Sequence, residues 1–205
     1  MAPTARVPRE MWVRQGLRVL ADGGPDAVRV EPLARALGVT RGSFYWHFAD
    51  RRALLDAMLD AWERSTTEDV IGLLESEGGD AAVKLRRLLA MASPRVLMTD
   101  LAVRDWARRD QAVAERLACV DNRRMDFFRS LFHGLPGGQA GQGDPEARSM
   151  LAFSLIVGNH FIAASHGDLS RAEVLELALM QLVSGFRTGQ RGILRRRPSE
   201  NQRLG

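Results

Sequence analysis

The sequence predicts an all-α protein, with a small N-terminal helix-turn-helix unit and a larger helical body behind it. Three observations lead there. Apolar residues recur at three- and four-residue spacing along most of the chain, and no stretch alternates apolar and polar residues as a half-buried strand does. Breakers and caps such as Gly23-Gly24-Pro25-Asp26, Asp50, Ser93-Pro94, Asp110 and Asp144-Pro145 cut the chain into helix-sized pieces. Finally, Val30 to Phe48, VEPLARALGVTRGSFYWHF, places two short helical patterns around a Leu37-Gly38-Val39-Thr40 corner.

The first helix is expected over Met11–Ala21, with Trp12, Val13, Gly16, Leu17 and Leu20 facing inward. In the next, Val30, Leu33, Ala34 and Leu37 share one face, and Gly38 suits the left-handed residue that ends a helix. Val39 fills the angle of the corner, and Thr40 stands where an N-cap hydroxyl belongs. Phe44 and Phe48 lie four apart and bury together, which leaves Arg41, Gly42, Ser43, Tyr45, Trp46 and His47 for the remaining faces. That outer set is too aromatic for a merely solvated surface and suits a DNA groove. Arg41 can grip a guanine edge, Gly42 permits close backbone approach, and Ser43 reaches a groove wall. Tyr45 and His47 can bond phosphate oxygens. Asp50 caps the fourth helix, whose first turn carries Arg51 and Arg52 toward another phosphate. An ordinary helical hairpin is the competing reading.

The fourth helix is expected to run from Arg51 to about Leu74, with Leu55, Met58, Leu59 and Trp62 as its stripe. Helices follow over Ala81–Ala92, Arg95–Arg108, Asp110 to about His133 and Asp144 to about Ser165. The last spans Arg171 to about Thr188 and opens on the capping box Ser170-Arg171-Ala172-Glu173. Gly134 to Gly143 reads as a flexible loop. It has a glycine-rich look, but no strand precedes it and no Lys-Ser/Thr follows, so it is no phosphate loop. The tail from Gly189, with Arg195-Arg196-Arg197, reads as a disordered basic extension.

Leu33-Ala34, Gly38-Val39-Thr40, Gly42-Ser43-Phe44-Tyr45-Trp46-His47-Phe48, Asp50-Arg51 and Leu54-Leu55 together resemble the signature of the tetracycline-repressor (TetR) family. The signature covers about a quarter of the chain. The resemblance implies a one-component transcriptional regulator, usually a dimeric repressor released from DNA by a small molecule. It implies phosphate contacts for Thr40, Tyr45, His47 and Arg51, and base-facing positions for Arg41, Gly42, Ser43 and sometimes Trp46. Arg29 departs from the usual Thr or Ser cap, and Arg51 replaces the commoner Lys.

With 205 residues, 45% of them hydrophobic, the chain can bury a substantial core. Residues 1–55 are expected to form the DNA-binding unit, 56–188 the ligand-binding and dimerisation unit, and 189–205 the tail. No run reaches the length of an apolar membrane span, and MAPTARVPRE lacks a signal-peptide core, so a cytoplasmic protein is expected. Net charge is only +4 although the pI is near 10.4, and Lys84 is the sole lysine. Placement counts for more than the total. Arg6, Arg9, Arg14, Arg41, Arg51 and Arg52 gather near the proposed DNA face. The single cysteine, Cys119, excludes an intrachain disulfide and reads as a buried thiol.

The last two helices are apolar around more than the roughly 100° that one neighbour requires. Leu151, Leu155 and Gly158, with Leu175, Leu179, Leu182 and Phe186, are the expected dimer interface, forming a four-helix bundle across a two-fold axis. A ligand cavity is expected between the fourth helix and that bundle, lined by Trp106, Phe127, Phe153 and His160, with Asn159 and Asp105 as further polar groups. It suits a small, largely apolar organic effector. No nucleophile motif, metal-ligand spacing or phosphate loop is present. His133, His160 and His166 are too scattered for zinc, so no enzyme activity, metal or cofactor is expected. The rival function is a DNA-binding regulator without a small-molecule ligand, acting constitutively or through a protein partner.

Overall fold

The computed structural model describes residues 7–91, 94–135 and 145–184, and within them regular structure is entirely helical. In chain order the helices are α1 (Arg9–Gly23), α2 (Val30–Ala36), α3 (Arg41–Phe44), α4 (Arg51–Glu63), α5 (Asp69–Ser76), α6 (Ala81–Met91), α7 (Pro94–Ala107), α8 (Gln111–His133), α9 (Pro145–Gly158) and α10 (Arg171–Ser184). The glycine-rich loop beyond Leu135, Phe186 and the basic tail lie outside the described residues.

Most caps form as their residue types dictate. Gly38 has φ +69°, the left-handed geometry that closes α2. Asp50 accepts from the Ala53 amide at 2.8 Å to start α4, and Asp110 accepts from the Ala112 and Val113 amides to start α8. The Ser170–Glu173 box closes reciprocally at 2.7 and 3.3 Å. Thr40 holds the extended backbone of an N-cap, yet its hydroxyl makes no capping bond. Arg29, which precedes α2, caps nothing with its side chain and bonds instead to the Asp26 carbonyl.

Two apolar clusters organise the molecule. The first joins Trp12, Leu20, Leu33, Phe44 and Phe48 to the α4 stripe Leu55, Met58, Leu59 and Trp62. It extends into the body through Val103 and Trp106 of α7 and Val113 and Val120 of α8. Packing therefore runs across the expected division at residue 55, with α1 resting on both α4 and α7. Gly16 allows this approach, since a Cβ there would meet the Met58 sulfur at 2.5 Å. The second cluster gathers Ile71, Leu74, Leu85, Phe127, Phe128, Leu131 and Phe132 with Ala152, Leu179 and Leu182.

Between the clusters lies a layer of charge. Asp100 accepts from the Trp62 indole at 3.2 Å, from Arg104 Nε at 2.9 Å and from Arg124 Nη1 at 2.9 Å. Arg104 also grips Asp121 through two bonds of 2.8 Å. Buried charges persist only when paired in this way.

Four features differ from the sequence-based expectations. The fourth helix is interrupted by a π-helical turn over Arg64–Glu68. Ser65 and Thr66 both donate to the Trp62 carbonyl, and such back-bonding competes with the helical ladder. Next, α9 ends at Gly158 rather than near Ser165. Asn159 Nδ2 takes the Leu155 and Ile156 carbonyls, Arg171 takes the Asn159 carbonyl, and the chain leaves through a short 3₁₀ turn. Cys119 is exposed, because α8 buries Val113 and Val120 and turns Cys119 away. Leu179 and Leu182 are buried within the second cluster of their own chain. With Leu175 packed beside them, they form the inner face of α10 rather than an outward interface.

Candidate nucleic-acid interface and effector cavity

The corner from α2 to α3 is held from beneath. Phe44 is fully buried, edge-on to Trp12 at 5.4 Å and stacked on Phe48 at 5.3 Å. With Phe44 and Phe48 anchored, the four-residue α3 and the turn after it must present their other faces outward. Tyr45 is 51% and Trp46 74% exposed, large apolar surfaces that folding alone leaves uncovered. Thr40, Arg41 and Gly42 are exposed and Ser43 is half-buried. At Gly42 an added Cβ would meet only the Thr40 hydroxyl, at an ordinary 3.7 Å, so the fold itself does not require glycine there.

Arg41 is pre-arranged. Its guanidinium donates to the Tyr45 hydroxyl at 3.2 Å and to Glu31 at 3.3 Å, and the Tyr45 hydroxyl, with Glu31 second, holds its pKa above the ordinary arginine value. Arg9 lies over the Phe48 ring at 4.9 Å, on the same unit.

His47 and Arg51 sit differently from the phosphate-facing placement implied by the family pattern. The His47 ring is half-buried, and its Nε2 lies 2.9 Å from the Val7 carbonyl. It ties the N-terminal arm to the recognition turn. Arg51 folds inward, with Nε donating to the Val28 carbonyl at 2.6 Å and Nη2 to the Pro25 carbonyl. It clamps the turn after α1 to the start of α4. Its partners lie more than twenty residues away, so local pattern gave no sign of this.

A cavity of about 160 Å³ opens beside the second cluster, bordered on one side by the charged layer of Asp100 and Arg124. Phe127, Phe153 and His160 border it, together with Ile71, Phe128 and Ile156. Trp106 does not. It is buried among α1, α4 and α7 and borders a separate polar cleft with Arg51, Arg52 and Asp110. Asp105 is exposed and paired with Arg109. The residues missed from sequence are Thr66, Thr67, Asp100 and Arg124, which form the polar wall of the cavity. A run of three poor helix formers, Ser65-Thr66-Thr67, inside an otherwise strong helix was the available signal. Asn159 and His160 enter from the 3₁₀ turn after α9. Partial burial, with the Arg171 charge second, lowers the His160 pKa. Among the described residues no group of His, Cys, Asp or Glu could hold a metal ion, and no helix is long and apolar enough to cross a membrane.

Comparison with known proteins agrees with this geometry. Residues 13–58 match the family described as bacterial regulatory proteins, tetR family. The HTH-type regulator TtgW of Pseudomonas putida is 35% identical over 130 residues, covering 62% of this chain and 96% of TtgW. The Escherichia coli class C tetracycline repressor is 41% identical over 56 residues, covering 27% of this chain and 26% of the repressor. The chain thus spans only about a quarter of that relative's length. A Rhodococcus TetR-family regulator superposes with a TM-score of 0.62 at 23% identity, covering 85% of this chain and 97% of that one. A Saccharomonospora viridis regulator solved with choline gives 0.69 at 16% identity, over 84% and 93% of the two chains. The chain belongs to the TetR family of transcriptional regulators.

Proposed function

We propose that this regulator is a dimeric, effector-responsive repressor that binds a palindromic operator through α3 and the turn after it. The observation that carries the DNA-binding surface is the outward set Arg41, Tyr45 and Trp46 on a turn anchored by Phe44 and Phe48. Arg41, Gly42, Ser43 and Trp46 are the base-facing positions, and Thr40 and Tyr45 meet phosphates. Arg51 supports the site by clamping the start of α4, and His47 does so by holding the arm. One short helix reads few base pairs, whereas two heads on a palindrome double the contacts.

Support for the dimer is the apolar surface left on the last two helices and their connection. Met150 and Leu151 of α9, Phe161 and Ile162 beyond it, and Leu177 of α10 are all exposed. Leu151 stays in the proposed interface and half-buried Leu155 and Gly158 flank it, while Leu177 takes the place of Leu175, Leu179 and Leu182.

The cavity beside the second cluster is the proposed effector site, suited to a small organic molecule with an apolar body. An effector acts by differing in affinity for two arrangements of the heads, so effector and operator weaken each other reciprocally. Footprinting on the DNA beside its own gene, with and without candidate compounds, tests both parts. Protection of a palindrome that a compound relieves is the expected result. Protection that no compound relieves supports a ligand-independent regulator instead.

A further inference from the structure

The polar wall of the cavity is built around one residue, Arg124. Its Nε donates to the Thr67 hydroxyl at 3.0 Å, its Nη2 to the Thr66 hydroxyl at 2.8 Å and its Nη1 to Asp100 at 2.9 Å. The same guanidinium lies 5.4 Å from the Trp62 ring centre. Thr66 passes the contact on, because its hydroxyl donates to the Trp62 carbonyl at 2.7 Å. Arg124 therefore clasps the π-turn at Arg64–Glu68 from the cavity side. That turn joins α5 to α4, the helix that leads to the DNA-binding head. π-turns mark local departures from the helical ladder and often sit at functional positions.

Counting donors and acceptors selects the ligand chemistry. Asp100 already accepts from Trp62, Arg104 and Arg124, so its carboxylate has little left to offer a cation. Asp121 pairs with both of these guanidinium groups, so the two carboxylates are balanced and leave no spare negative charge for a cation. Arg124 has five N–H donors, and three are engaged in these bonds. Those remaining favour an acceptor, and a carboxylate matches a guanidinium best. Apart from Asn159 and His160, the rest of the lining is apolar and rich in phenylalanine, which suits a ring or short aliphatic body. A cavity of roughly 150 Å³ accepts a benzene-sized molecule.

We infer that the effector is an amphipathic organic acid whose carboxylate takes Arg124 away from Thr66 and Thr67, releasing the π-turn and re-aiming α4. This rests on the effector-responsive reading above. The lever is long. The thirteen residues of α4 span about 20 Å, so a change of roughly 10° at the turn moves the Arg51 end by about 3 Å.

Three probes of matched size test it: phenylacetate, 2-phenylethanol and 2-phenylethylammonium. Binding to the full chain is followed by calorimetry, and operator affinity by fluorescence anisotropy. Phenylacetate should bind at least about tenfold more tightly than either of the others and weaken operator binding. Arg124→Gln should abolish that preference, bringing the affinity for phenylacetate down to that for 2-phenylethanol. The double variant Thr66→Val with Thr67→Val should still bind phenylacetate but no longer transmit it to the operator. Arg124→Lys covers the case in which Arg124→Gln does not fold. It keeps the charge and the carboxylate preference but loses operator release, because a point-like ammonium does not reproduce the planar fork that meets both hydroxyls and Asp100 together. The inference is overturned if phenylacetate binds no better than the alcohol, or if the threonine double variant responds normally. It is equally overturned if none of the three binds at millimolar concentration. Should 2-phenylethanol alone release the operator, the effector-responsive reading stands and the acid-specific one falls.

Discussion

Replacing Trp62 by Phe probes the join between the DNA-binding head and the body. Trp62 is 1% exposed, stands at the end of α4 and donates its indole N–H to Asp100 of α7 at 3.2 Å. Phe keeps most of the ring but removes that donor. A hydrogen bond to a charged group contributes about 1.5–3 kcal/mol. Asp100 keeps Arg104 and Arg124, so it is not left bare and the lower end applies, about 1.5 kcal/mol. The smaller ring leaves roughly 40 Å³ unfilled, which adds about 1 kcal/mol. The sum, about 2.5 kcal/mol, lowers Tm by roughly 5–10 °C for a chain of this size. Circular dichroism melting of both proteins reads this directly. A double-mutant cycle with Asp100→Ala isolates the bond and should return a coupling of about 1 kcal/mol or more. A Tm within about 1 °C of the parent, or a coupling near zero, refutes the view that this bond ties α4 to α7.

Other outcomes follow from the same contacts. Arg41→Ala should lower affinity for the preferred operator about ten- to a hundredfold and relax sequence choice in a binding-site selection. Glu31→Gln should strengthen operator binding, since Arg41 must leave Glu31 to meet a base, and anisotropy titration checks it. Leu177→Glu should yield folded monomers by sedimentation, whereas Leu179→Glu, which buries a charge in the second cluster, should not fold. His160 has a lowered pKa, so the unfolded chain binds its proton first as pH falls. Its contribution to stability is present above about pH 6.5 and lost below it. His160→Gln should flatten that part of the pH–Tm profile.

The boundaries of most elements were legible because helix starts and stops are local events. Asp50, Asp110 and the Ser170–Glu173 pair cap amides two or three residues away, and Gly38 needs only its own φ. The outward face of the α2–α3 corner was legible for a related reason. Phe44 and Phe48 share a face by spacing alone, and burying them turns Arg41, Tyr45 and Trp46 outward. Where a rule of spacing met a competing local bond, the expectation slipped. Thr66 broke the regular ladder of the fourth helix, and Asn159 stopped α9 early.

By itself, the amino-acid order determined the helical class, the helix-turn-helix corner and the family to which the chain belongs. Only tertiary packing decided that Arg51 clamps carbonyls, that Trp106 is core, that Leu179 and Leu182 face their own cluster and that Arg124 rules the cavity wall. The physical reason is range. A cap or a helical face depends on neighbours within a turn or two, but the partner of a long charged or aromatic side chain here lies 23 to 58 residues away. Many partners are compatible with one residue type, and packing selects among them.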